Sequence, residues 1–268
     1  MPRSYREMED ILMRELHLYH HPIAVTFLST EDEMNLFKEI TPHVIPARPL
    51  TYCQWEIAAR MQGQTVVGEK KQLGCHNARI SFGWAGIDED DIEAVAQEYA
   101  SREVAELIVG SKPRLPLDSL QGVAVGPLGN AVMDPHVIHF YCDNFQSHRL
   151  AVEYMAATKT HPLRPMICES SSACGGGVFC WREQSFNVTP SCTGSYNSGK
   201  TERGEVNVFI PASRLEETVE FLEQRLRRMP ENTFPGADIC KNCSVIVFRK
   251  GFQKMDEGAA VPQNGGDS

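Results

Sequence analysis

Four cysteines stand at positions that suit chemistry better than packing: Cys53, Cys75, Cys174 and Cys192. Cys53 falls in the first turn of a predicted helix that Thr51 would cap, where backbone N–H groups and the helix dipole stabilise a thiolate. Cys75 follows Gly74 and precedes His76. Cys174 precedes Gly175, Gly176 and Gly177. Three consecutive glycines let the backbone approach a cofactor closely, and their successive N–H groups can cradle sulfide or another anion. Cys192 sits between Pro190-Ser191 and Gly194, in a predicted turn. Cysteines that only pack usually lie inside apolar elements. Four converging thiolates would hold an iron–sulfur cluster, most simply 4Fe–4S, or a structural zinc ion. The spacing matches neither the tight ferredoxin run nor a zinc ribbon, so an unliganded set stays open.

Other cysteines compete for these roles. Cys168 and Cys180 flank Cys174, and either could replace one of the four, although Cys180 beside Trp181 reads as packing. Cys142 closes an apolar strand and also reads as packing. Cys240-Lys241-Asn242-Cys243 is half of a metal knuckle, and no second CxxC completes it.

Gly194-Ser195-Tyr196-Asn197-Ser198-Gly199-Lys200-Thr201 matches the phosphate-binding pattern GxxxxGK[ST]. That pattern needs a helix starting at the lysine. Here a strand-like run, Val206 to Phe209, follows too soon, and the segment is expected to be a hairpin-like loop. His76 and His148 are candidate metal or haem ligands, and His20-His21 precede a strand. Ser170-Ser171-Ser172 has no recognisable catalytic-triad partner.

The chain has 268 residues, 42% hydrophobic and 23% charged, a composition that excludes disordered and collagen-like classes. A net charge of −9 argues against nucleic-acid partners, which require a basic footprint. No apolar run is long enough to span a membrane, and residues 1–10 lack the features of a signal peptide. A cytoplasmic location is therefore expected. In a reducing compartment nine cysteines, an odd number, are not a disulfide framework.

The elements that must position these residues follow an α/β order, with mixed α+β as the variant. Helices are predicted over 4–18, 51–61, 88–109, 144–158 and 213–229 from apolar periodicity and capping residues. Strands are predicted over 23–28, 65–67, 122–128, 137–142, 186–188 and 205–211. Residues 29–49 read as a Pro-containing connection. Strand, capped helix and Cys/Gly stretch occur twice, which reads as an internal repeat of about 20–128 and 136–230, with the two Cys-rich turns facing each other. One compact cysteine-containing core is expected over 1–230, then an extension with the CxxC over 231–252 and a disordered tail over 253–268.

Tyr52-Cys53-Gln54 opening a helix, Gly74-Cys75, Ser172-Ala173-Cys174 and Pro190-Ser191-Cys192-Thr193-Gly194 resemble the prokaryotic "domain of unknown function 169" family. Ile23-Ala24-Val25-Thr26-Phe27 is similar to a strand near that family's start. The resemblance covers roughly residues 10–228 and implies an anaerobic prokaryotic setting. It also implies that the four cysteines form a group, and it weakens the nucleotide reading. His76 stands where the family has proline, and Cys168, Cys180, Cys240 and Cys243 are peculiar to this chain.

The expectation is thus a cytosolic iron–sulfur protein serving electron transfer or a redox enzyme, with an unidentified redox partner. Homo-oligomerisation is left open. Haem or a corrinoid as a further cofactor has no supporting motif. The alternatives are a structural zinc protein and a non-redox small-ligand-binding protein whose Gly-rich loops hold an anion. A P-loop ATPase is the least favoured.

Overall fold

Six strands pair into one antiparallel sheet in the computed structural model, which describes residues 2–228. They are β1 (Ile23–Leu28), β2 (Val66–Gly68), β3 (Gly122–Pro127), β4 (Val137–Cys142), β5 (Asn187–Pro190) and β6 (Val206–Pro211), in the order β2-β3-β1-β4-β6-β5. The central pairs set Val25 opposite Val125 and Ile23 opposite His139. Every residue of β1, β3 and β4 is buried, because helices cover both faces of the sheet. This explains why these strands read as continuous apolar runs and not as an alternating pattern.

The covering helices are α1 (Tyr5–Leu16), α2 (Glu31–Ile40), α3 (Tyr52–Gln62), α4 (His76–Ser81), α5 (Glu89–Tyr99), α6 (Arg102–Gly110), α7 (Asn144–Thr158), α8 (Ser172–Glu183), α9 (Thr193–Gly199) and α10 (Leu215–Arg228). On one face α3, α4 and α8 pack Tyr52, Trp55, Ala78, Ala173 and Val178 against Ile23, Val25, Phe27, Val125 and Phe209. On the other, α2 packs Met34 and Phe37 against Leu28, Val67 and Ala124. α10 buries Leu215, Val219 and Leu222, the stripe that the sequence sets at helical spacing.

Several predicted segments differ from the structure. α2 lies inside the expected connection 29–49, started by a capping box of Thr30 and Glu33. The expected helix 88–109 is two helices, broken at Ala100, which is left-handed (φ 53°), with Ser101 capping the second. The expected hairpin-like loop over 194–201 is the short helix α9 and its end.

A single compact unit extends to Leu222. Its one sheet contains all the strands of the two expected lobes, and the internal repeat is not confirmed. No described helix is long and apolar enough to cross a membrane. Cys240 and Cys243, the 231–252 extension and the 253–268 tail lie outside the described residues.

Candidate functional site

The fold brings the four cysteines to one cavity of about 270 Å³, lined by Cys53, Cys75, Cys174 and Cys192. Each cysteine marks a helix start. Cys53 and Cys174 lie in the first turns of α3 and α8, and Cys75 and Cys192 immediately precede α4 and α9. The rest of the lining is mostly small and polar: Thr51, Asn77, Ser170, Ser171, Ser172, Thr193 and Ser198. Two exposed carboxylates, Glu98 and Glu169, also line it, and among the described residues no lysine, arginine or histidine does.

Specific contacts hold these helix starts together. Thr51 accepts from the Gln54 N–H, while Gln54 accepts from the Thr51 N–H, capping α3. The Thr51 hydroxyl also donates to Ser198 Oγ at 3.1 Å, tying α3 to α9. The Cys192 N–H donates to Ser172 Oγ at 2.9 Å, tying α9 to α8. α3 and α9 approach so closely that a Cβ on Gly199 would lie 2.8 Å from Cys53 Cβ. Arg60, fully buried, donates through Nη2 to the carbonyls of Gly199 and Lys200 at 2.7 and 3.0 Å and lies over the Tyr141 ring. It therefore secures the end of α9, where the backbone carbonyls lack helical partners.

The three glycines are part of a helix, and one of them, Gly176, serves close packing. Gly175, Gly176 and Gly177 lie within α8 and do not form an anion-cradling loop. A Cβ on Gly176 would lie 2.4 Å from Phe209 Cε2, so glycine lets α8 settle directly on β6.

The iron–sulfur reading is overturned by the grouping of the side chains. Among the described residues, no three His, Cys, Asp or Glu side chains are placed to hold a metal ion. The four thiols share a cavity wall without forming a ligand set. This removes the expected 4Fe–4S cluster and the electron-transfer role built on it, and the zinc alternative as well. Among the described residues the other candidates form no second metal site. Cys180 and Cys142 are buried in the core, and Cys168 lies outside the cavity lining. His76 faces Asp91 at 2.8 Å, His20 faces Glu205 at 3.1 Å, His21 faces Glu9 at 2.9 Å, and His148 is exposed on α7.

Cys53 and Cys174 are not activated as a helix start alone would suggest. Burial pushes the Cys53 thiol well up, and the Glu56 carboxylate and the other three cysteines push it further. Burial, then Cys75 and Cys192, raise Cys174 as well. The desolvation cost of a thiolate in this lining exceeds the attraction of a helix dipole. Both groups are neutral thiols near neutral pH.

Behind Cys53 runs a buried polar chain that sequence reading missed. Glu56 Oε2 accepts from the Tyr141 hydroxyl at 2.6 Å, and Oε1 lies 2.7 Å from His139 Nδ1. His139 Nε2 lies 3.0 Å from Asn207 Oδ1, and Asn207 Nδ2 donates to Ser191 Oγ at 2.9 Å. The chain thus runs from Glu56, one turn after Cys53 on α3, to Ser191, the residue preceding Cys192. Only the position of Glu56, three residues after Cys53 on one helix face, could have signalled it.

Lys200 ends α9 in a left-handed conformation and is exposed. A phosphate-binding loop needs a helix after its lysine, and here the helix comes before it. The match to the nucleotide pattern is coincidental.

Compared with known proteins, residues 11–221 match the sequence model of the DUF169 family, described as "Uncharacterised ArCR". No curated protein and no solved structure matches the chain.

Proposed function

We propose that this chain, which belongs to the DUF169 family, binds a small ligand in the cavity where its four cysteines meet. One observation carries the reading: four helix starts from separate parts of the chain converge on a single cavity lined by thiols and hydroxyls. A concave site with few charges and many small polar groups is the usual form of a ligand pocket. At about 270 Å³ it falls just below the range of drug-sized sites, which favours a small metabolite. Binding is favoured over nucleophilic catalysis because Cys53 and Cys174 are neutral thiols and, among the described residues, no histidine lines the cavity to activate them.

Cysteine protection tests the reading. The low-molecular-weight extract of the cells that make the protein should slow iodoacetamide alkylation of Cys75 and Cys192. Thr193→Trp, which places an indole at the cavity wall, should abolish that protection. Alkylation rates indifferent to the extract would refute the proposal.

A further inference from the structure

We infer that an open groove at the end of α8, apart from the cysteine cavity, binds an apolar organic carboxylate. Arg114 and Arg182 hold the carboxylate, and Phe179 and Met166 carry the apolar body.

The groove has a volume of about 580 Å³, within the range of small-molecule sites. The segment leaving α6, from Gly110 to Pro116, forms it together with Met166 and the last turns of α8. It shares no lining residue with the cysteine cavity. α8 is twelve residues long, and the cavity stands at its start and the groove at its end.

The charge of the groove opposes that of the chain. The chain carries a net −9, yet three cationic residues line the groove, Lys112, Arg114 and Arg182, against one carboxylate, Glu183. Among the described residues none of the three cations has a carboxylate partner; their hydrogen bonds go to neutral oxygens. Arg114 Nη1 donates to the carbonyls of Gly110 and Lys112 at 3.2 and 3.5 Å, and Arg182 Nη1 donates to the Arg114 carbonyl at 2.9 Å. Both side chains are exposed, and within the described chain Nε and Nη2 of each make no hydrogen bond. Such free N–H pairs match the two oxygens of a carboxylate.

Lys112 points to an anion independently. It is 6% exposed, and its ammonium donates to the neutral Asn77 Oδ1 at 2.8 Å. Buried lysines ordinarily have an ionic partner, and no described carboxylate supplies one here.

The surroundings select the ligand. α6 and α8 both end at the groove, and each brings a negative pole worth about half a charge. With Glu183 they leave roughly one net positive charge, enough for a carboxylate and too little for a phosphate dianion. Phe179 and Met166, both half-buried, offer the body an apolar surface.

Amide NMR of the full chain, titrated with benzoate, benzamide and inorganic phosphate at matched ionic strength, tests the inference. Benzoate should shift the amides of Ser111, Lys112 and Arg182, with benzamide and phosphate binding at least tenfold more weakly. Arg182→Gln should weaken benzoate binding roughly tenfold. Glu183→Gln should tighten it roughly threefold, a gain that damage to the fold would not produce. Equal binding of benzoate and benzamide, or tighter binding of phosphate, would overturn the carboxylate. Shifts confined to residues away from the groove, no shift at all, or a Glu183→Gln affinity no tighter than the parent's would overturn the site. Because the two sites share no residue, these outcomes leave the cysteine-cavity reading to its own test.

Discussion

Glu56 and His139 meet across 83 positions of the chain, carboxylate Oε1 2.7 Å from ring Nδ1, with both side chains fully buried. The pair joins α3, which carries Cys53, to the centre of the sheet. A carboxylate in this place also acts on the thiol one helical turn away, since Glu56 is, after burial, the largest influence raising Cys53. Removing its charge while keeping its shape separates the two effects. Glu56→Gln is expected to lower the Cys53 thiol pKa, still above its ordinary value because burial persists. The alkylation rate of Cys53 as a function of pH reads this directly, and an unmoved profile would show that burial alone sets the thiol. The same change should cost about 1–3 kcal/mol of stability, because a buried charge-assisted hydrogen bond is lost.

Alkaline pH should weaken the fold. Burial raises the thiols of Cys53, Cys142, Cys174 and Cys180. Below about pH 8.5, the ordinary thiol value, folded and unfolded chains carry the same protons on these groups. Above it the unfolded thiols ionise while the folded ones stay protonated, so stability falls as pH rises, by up to ~1.4 kcal/mol per pH unit for each thiol. Urea midpoints measured across the alkaline range should decline, and Cys142→Ala should flatten the decline. A slope identical to that of the parent would count against Cys142.

Two neighbouring glycines of α8 should respond oppositely to alanine. A Cβ on Gly176 would lie 2.4 Å from Phe209 Cε2, whereas one on Gly177 would meet Phe209 at 3.9 Å, ordinary contact. Gly176→Ala should cost ~1–3 kcal/mol through overpacking. Gly177→Ala should be neutral or stabilise by up to ~1 kcal/mol through helix propensity. Thermal melts of the two variants decide, and equal losses would mean that packing against β6 is not the reason for glycine at Gly176.

Lys200 and Arg60, at opposite ends of the same few contacts, should differ as sharply. Lys200→Ala alters an exposed side chain and should change stability by no more than ~0.5 kcal/mol, with cysteine protection intact. Arg60→Ala removes the buried donor to the Gly199 and Lys200 carbonyls and should cost ~3–5 kcal/mol. It should also expose Cys192 to alkylation by loosening α9. Cys192 rates equal to the parent's would show that α9 is held in place without Arg60.

Much of the secondary structure was legible because its signals are local. Thr51 with Gln54 and Asp143 with Gln146 cap α3 and α7 as short-range hydrogen bonds require. The strands β1, β3, β4 and β6 are mostly apolar runs, broken only by single polar residues such as Thr26, His139 and Asn207. α8 was not legible, because three glycines are poor helix formers and the close approach of Phe209 that calls for glycine at Gly176 is a tertiary contact. α9 was hidden by its glycines and serines, and contacts to Ser172, Thr51 and Arg60 hold it in place.

The sequence by itself determined where four cysteines would stand: at element ends, beside residues that turn or start helices. It could not determine their chemistry. Whether thiols close on a metal is a matter of distances between chain segments far apart in sequence, and among the described residues they do not. Whether a thiol ionises depends on what surrounds it. Cys53 starts a helix, which favours the thiolate, yet burial and Glu56 keep it protonated. A helix dipole is a local property that sequence announces, whereas desolvation is a sum over neighbours that only the tertiary structure assembles.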